Sequence, residues 1–206
     1  MSFAAFRRRA VCACAAAFAA TAAFSGTAVA GDDATVGCPV VPTVQPFAPW
    51  QDLGDYFLAP DGGLENGAAG WDLSAGTSVV EGNEPFQAAG AEDRMSLSLP
   101  SDGSATTAPV CIGVEHRTMR FFTRATGAGV LQVDAVYAKR TDREKSVRLA
   151  SIPAGSAWAP TPIVPMVVNE IAPAYANALP VSLRFTVRGG GTWQIDDVFV
   201  DPYRRG

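Results

Sequence analysis

Two short stretches near opposite ends of the sequence place carboxylates in unusual company. Gly62-Gly63-Leu64-Glu65-Asn66-Gly67, followed by Gly70-Trp71, sets Glu65 in a segment made for bending. Trp193-Gln194-Ile195-Asp196-Asp197-Val198 sets Asp196 inside an apolar strand pattern. In a regular strand Asp196 shares a face with Val198 and Val200, so valines that point into a core take Asp196 with them. A lone buried carboxylate is costly unless it is paired, protonated or bound to a cation. Glycines let the other stretch bring its backbone close to such a centre. On the residues alone, Glu65 and Asp196 serve equally as turn caps or as partners for arginines.

A second group with binding chemistry comes from alternation. If Met119, Phe121, Leu131, Val133, Leu183 and Phe185 face inward, the opposite face of three strands carries Arg120, Phe122, Arg124, Gln132, Asp134, Arg184 and Thr186. Flat rings for the apolar face of a sugar, and planar polar side chains for its hydroxyls, are what carbohydrate binding requires. Arg120, Phe122, Gln132, Asp134 and Arg184 are therefore the candidate ligand-binding residues, and the arginines beside Phe122 suit an anionic glycan. The same composition also describes a solvated face laced with cross-strand ion pairs, each worth little. Trp50, Tyr137 and Trp158 are further candidate platforms. Lys139, Arg140, Arg143, Lys145 and Arg148 surround an expected hairpin, where charge protects an exposed edge.

The amino terminus sets the compartment. Arg7, Arg8 and Arg9 precede an alanine-rich apolar run that ends in Ala28-Val29-Ala30, the pattern of a removable secretory signal over residues 1–30. Its removal takes away three of the 16 basic residues and none of the 20 acidic ones, so the exported chain is more acidic than the formal −4 of the whole. That sign and compartment argue against nucleic acid as a partner. No later segment has the roughly 20 consecutive apolar residues needed to span a bilayer. Cys38 and Cys111 remain after cleavage, and in an oxidising compartment they form one disulfide. Closing a loop of that length contributes about 4 kcal/mol in the chain-entropy model.

Residues 31–50 form a proline-rich leader, with Pro39, Pro42, Pro46 and Pro49 too close together for a helix or a central strand. Residues 51–206 then read as one domain of short period-two runs bounded by turn residues. Such runs occupy 94–99, 118–121, 130–138, 146–152, 162–168 and 181–187. Thr141-Asp142-Arg143-Glu144 and Gly189-Gly190-Gly191 are the expected hairpin connections, and a single helical turn is expected near 170–176. The fold class is all-β: an antiparallel β-sandwich, a jelly roll of about eight strands.

Taken together and in order, the two end motifs resemble the opening and final strands of carbohydrate-binding modules of the family 4/9 type, which are galactose-binding-like jelly rolls. Asp61 and Leu64 stand where that pattern has asparagine and phenylalanine. The resemblance implies a structural calcium ion, with Glu65 and Asp196 as its carboxylate ligands, and the hard oxygen donors of such a site suit the ion. It also implies a secreted, extracellular, non-catalytic module for glycan or cell-envelope polysaccharide. The alternative is an exported structural or protein-interaction sandwich without a sugar site. No Gly-x-Ser-x-Gly elbow and no phosphate-cradling glycine loop occurs, and His116 is the sole histidine.

Overall fold

The structure, a computed structural model, describes residues 37–138 and 143–203. The expected signal segment and the hairpin tip at 139–142 lie outside these residues. Strands are β1 (Phe57–Leu58), β2 (Asp72–Leu73), β3 (Ser78–Glu81), β4 (Met95–Leu99), β5 (Ser104–Thr106), β6 (Val110–Ile112), β7 (Thr118–Thr126), β8 (Val130–Ala138), β9 (Glu144–Pro153), β10 (Ala159–Pro160), β11 (Val164–Pro165), β12 (Leu179–Arg188) and β13 (Thr192–Asp201). They pair antiparallel into two sheets. One runs β10-β7-β13-β4-β3, with β1 added on β13 and β11 on β7; the other runs β2-β5-β12-β8-β9, with β6 added on β12.

This is the all-β antiparallel sandwich that the alternation predicts. The alternating side chains of β7, β8 and β12 make its core: Met119, Phe121, Leu131, Val133, Leu183 and Phe185 are all buried there, with Trp193 and Ile195 of β13. Trp71 stacks on Phe185 with ring centroids 6.2 Å apart. Several strands are two or three residues long, too short to show a period, which is why the alternation suggests fewer strands than form.

Two expectations fail for identifiable reasons. Gly189-Gly190-Gly191 is not a hairpin, because β12 and β13 lie in different sheets. All three glycines have positive φ, and a Cβ on Gly191 would meet the Thr126 carbonyl at 2.5 Å, so the segment carries the chain over the sandwich edge against β7. The run at 162–168 supplies only β11. Pro162 and Pro165 interrupt it, and a 3₁₀ helix takes over at Val167–Tyr175, spanning most of the predicted turn.

The leader belongs to the fold. The Cys38–Cys111 disulfide ties it to β6, with Cα atoms 5.5 Å apart. Val44 bridges to Tyr56, and a 3₁₀ turn at Ala48–Trp50 carries Pro49 within its first turn. Between them Phe47 is fully buried in a second aromatic cluster with Tyr56, Phe122 and Phe199, on the outer face of the seven-stranded sheet. Phe47 stacks on Phe122 at 5.4 Å and meets Tyr56 edge-on at 4.9 Å. Beside it Asp52 accepts a 2.8 Å ion-paired hydrogen bond from Arg120, whose guanidinium also donates to the Thr161 carbonyl and lies 4.4 Å over the Phe47 ring.

Truncating Phe47 to alanine should therefore cost about 3–5 kcal/mol in denaturant unfolding, as for a core aromatic; a cost below 1 kcal/mol would mean the leader is loosely held. The Asp52–Arg120 pair adds a pH signature. Burial raises the Asp52 pKa, but hydrogen bonds from Arg120, Tyr56 and the Gly54 amide, with the Arg120 charge, outweigh it and hold the group below its ordinary 3.8. Its contribution is present above that value and is lost as pH falls through the lower folded value. Asp52→Asn should cost about 3 kcal/mol at pH 6, the low end for a buried pair broken on one side, and the gap to wild type should close below pH 3.8. A gap independent of pH would exclude the ionic contribution.

Candidate functional site: a buried carboxylate cluster

Residues 59–71 fold into a tight loop that closes on β13. The Ala59 amide donates to the Val198 carbonyl at 2.8 Å, and the Val198 amide donates to the Gly62 carbonyl at 3.0 Å. A Cβ on Gly62 would sit 2.8 Å from the Val198 oxygen, so only glycine permits this approach. Asp61 closes the loop from within, accepting hydrogen bonds from the Asn66 amide at 3.0 Å and the Ala69 amide at 2.6 Å. Leu64 is fully buried, and the Trp71 indole donates to the Pro60 carbonyl at 2.9 Å.

Opposite this loop β13 is bulged. Asp196 pairs with Phe122 and Phe199 with Arg120, so β13 advances three residues while β7 advances two; the extra residue includes Asp197 in a left-handed conformation, φ 51°. The bulge changes the parity on which the sequence argument rests. Before it Trp193 and Ile195 face the core; after it Val198 and Val200 do. Asp196 therefore lies on the outer side with Gln194, not on the face of the two valines. It is fully buried all the same, because the segment from Gly82 to Asp93 covers it.

That segment brings further acids. Glu84, Asp196 and Asp197 are fully buried and Asp93 is 6% exposed. One carboxylate oxygen from each of Glu84, Asp93 and Asp197 lies within 4.8 Å of the others. Backbone amides supply part of the compensation. Glu84 accepts from the amides of Phe86 and Ala88, Asp196 from those of Glu84 and Asp197, and Asp197 from that of Ala89. Asp93 Oδ1 and Asp197 Oδ1 are buried with no hydrogen-bond partner. Among the described residues no arginine or lysine forms an ion pair with any of these four acids.

The electrostatic consequence is plain. Burial first, then the charges of Asp197 and Asp93, push Asp196 up to about 9. Burial and the charges of Asp93 and Glu84 push Asp197 up to about 8. Asp93 rises to about 7 through burial and its contacts with Glu65 and Glu84, against a hydrogen bond from Asn83. Within the cluster itself, protonation relieves the repulsion. A divalent cation would do so with the acids ionised, and three converging carboxylates with orphaned oxygens are the hard donor set it needs. A cleft of about 520 Å³ lined by Leu58, Asp61, Gly63, Glu65, Asn66 and Asp93 opens onto the cluster.

Glu65 and Asp196 are thus both at the cluster, though the three acids with converging oxygens are their neighbours. Glu65 is exposed; one oxygen accepts from the Arg94 and Met95 amides, both at 2.7 Å, and so fastens the glycine loop to β4. Both Asp196 oxygens are taken by backbone amides. Asp197 stood in the quoted motif, but Glu84 and Asp93 lie in a loop whose sequence gives no sign of where it folds.

The five candidate ligand-binding residues are divided between sheets, so the single face expected for them does not form. Arg120 and Phe122 lie under the leader, 7% and 0% exposed, in the roles of ion-pair partner and core aromatic. Gln132, Asp134 and Arg184 do come together, on the outer face of the six-stranded sheet, where Asp134 and Arg184 are cross-strand partners. Arg148 donates to Asp134 at 2.6 Å and to Gln132 at 3.0 Å; Arg188 also donates to Gln132, at 3.3 Å. Arg184 donates to Thr106 and Glu144. The sequence reading missed Arg188 here and placed Arg148 only in the basic hairpin.

No family model matches the chain, and a search of curated proteins finds no match. Among solved structures it is similar to the CBM22-1 xylan-binding domain of Paenibacillus barcinonensis Xyn10C, with a TM-score of 0.52 and 11% identity over 74% of this chain and 97% of that one. It is also similar to the CBM22-1–GH10 modules of Clostridium thermocellum endo-1,4-β-D-xylanase 10B complexed with xylohexaose, with a TM-score of 0.50 and 15% identity. That match covers 68% of this chain but 27% of the other, so the chain spans about a quarter of the xylanase structure. The likeness is one of fold: a carbohydrate-binding-module jelly roll.

Proposed function

We propose that this protein is an exported, non-catalytic polysaccharide-binding module whose sandwich is locked by a calcium ion. The observation that carries the binding reading is the outer face of the six-stranded sheet. There Arg148 and Arg188 both donate to Gln132, and Arg184, bonded to Thr106 and Glu144, adds a further planar polar group to the same face, on a fold shared with a xylan-binding domain. Such groups exchange their mutual hydrogen bonds for those of sugar hydroxyls with little reorganisation. The ligand class is a glycan of the cell envelope or its surroundings. The disulfide, which forms stably in oxidising compartments, supports export, as does the amino-terminal pattern. Among the described residues no helix is long and apolar enough to cross a membrane.

Glu84, Asp93 and Asp197 would hold the ion, with Glu65 and Asp196 fastening the loop and the bulge around them. When bound, calcium supplies the positive charge that lets the buried acids stay ionised. Its role would be structural: it would join the segment from Gly82 to Asp93 to β13, with the 59–71 loop fastened beside it by Glu65. The finer likeness to family 4/9 modules rests on the two end motifs alone.

Two measurements check these statements. In affinity electrophoresis against a polysaccharide panel, the protein should be retarded by at least one glycan, and Arg184→Ala combined with Gln132→Ala should weaken that retention about tenfold or more, the worth of one or two hydrogen bonds to a charged group. Retention by no glycan would exclude the binding reading. For the ion, melting in calcium at 100 times its Kd should show about 2.7 kcal/mol of stabilisation over melting in chelator. Asp197→Asn should remove most of the difference. Coincident curves for the wild type would mean that the acids are neutralised by protons.

A further inference from the structure

The outer face of the seven-stranded sheet carries an arrangement that the polar face of its partner lacks. Along β7, Arg120 is covered by Asp52 and Phe122 by Phe47, but the next residue on that face, Arg124, is exposed. Around the buried Phe122 ring three aromatic residues from three separate segments reach the surface. Trp50 comes from the leader, Phe86 from the segment that covers the acid cluster, and Trp158 from the connection before β10. Phe86 is 47% exposed and meets Trp50 edge-on at 4.8 Å; both contact Phe122, at 5.7 and 5.5 Å. Trp158 packs on the same cluster and lies 5.2 Å beneath the Arg124 guanidinium. Arg124 Nε donates to Gln194, while its two terminal nitrogens make no hydrogen bond and no ion pair among the described residues. A notch of about 160 Å³ with Thr126, Ser156 and Thr192 in its wall adjoins them.

We infer that this strip is a second glycan subsite, specific for acidic polysaccharides that carry uronic acids. The inference rests on the polysaccharide-binding reading above and adds a ligand class and a location to it. The exposed ring of Phe86 and the partly buried rings of Trp50 and Trp158 offer apolar faces and edges to pyranose rings. Beside them Arg124 offers two uncommitted N–H donors in the fork geometry that matches a carboxylate. Its stacking on Trp158 holds the guanidinium in place, so little side-chain freedom is lost on binding. In a protein of net negative charge, an exposed arginine without an acidic partner is the feature that selects an anion.

The full chain can be titrated calorimetrically with polygalacturonate, polyglucuronate and hyaluronate, each beside its carboxyl-reduced form. Wild type should bind at least one polyuronate about tenfold more tightly than the reduced polymer, the worth of one charge-assisted bidentate contact. Arg124→Gln should abolish that preference without weakening binding of the neutral polymer, while Arg184→Ala keeps the preference. Trp158→Phe should weaken both forms, and unchanged melting temperatures would show that each variant is folded. Wild type that binds neutral glycans but no polyuronate, or Arg124→Gln that retains the preference, overturns the subsite and leaves the polysaccharide-binding reading standing. Wild type that binds no glycan overturns both.

Discussion

A buried carboxylate needs compensation, and four of them lie where the glycine loop, the segment from Gly82 to Asp93, and the bulged β13 meet, three with converging oxygens. Much of the local structure follows from that requirement. Backbone amides of Glu84, Phe86, Ala88, Ala89 and Asp197 all point at carboxylate oxygens, which uses up donors that would otherwise join a ladder and explains why this segment is irregular. Asp197 pays for its place with a left-handed backbone at the bulge. A hydrophobic replacement of the same acids would be simpler to fold. Their presence, with two oxygens left without a hydrogen-bond partner, is the observation on which the proposed ion rests.

The same sheet shows how position along one strand assigns roles. Arg120, Phe122 and Arg124 occupy successive outward positions of β7 and look alike as candidates. The leader makes them different. Held by the disulfide at Cys38 and by Phe47 in the aromatic cluster, it covers the first two and stops short of the third. Arg120 becomes the partner of Asp52, and Phe122 the floor under Trp50 and Phe86. An outward-facing residue in a sheet is exposed only if no other segment crosses it.

This explains what the sequence could and could not disclose. Alternation at Met119–Phe121, Leu131–Val133 and Leu183–Phe185 reveals which side chains enter the core because the pleat imposes it locally. The Cys38–Cys111 pair was legible by elimination. Sheet membership was not: the glycine run at 189–191 has the composition of a hairpin, yet it joins strands of different sheets. Nor was the bulge, since one extra residue leaves composition untouched while it reverses the parity argument for Asp196. Glu84 and Asp93 escaped because their partners lie far along the chain; Glu84 meets Asp196 across 112 residues. Motif-bearing Glu65 and Asp196 marked the neighbourhood, and long-range folding supplied the acids with converging oxygens.

The two outer faces consequently differ in physical character. On the six-stranded sheet, residues from β8, β9 and β12 satisfy one another across adjacent strands through the polar contacts of Gln132, Asp134, Arg148 and Arg188. On the seven-stranded sheet, aromatic residues delivered by loops crowd over β7, with the Arg124 guanidinium stacked on Trp158 at their margin. The segment from Gly82 to Asp93 belongs to both the acid cluster and that aromatic strip, through Glu84 and Phe86 two residues apart, with the Phe86 amide bonded to the Glu84 carboxylate. Those amide bonds to the Glu84 carboxylate also fix the backbone from which the Phe86 ring projects, so the geometry of the buried acids and that of the aromatic surface are set by a single turn.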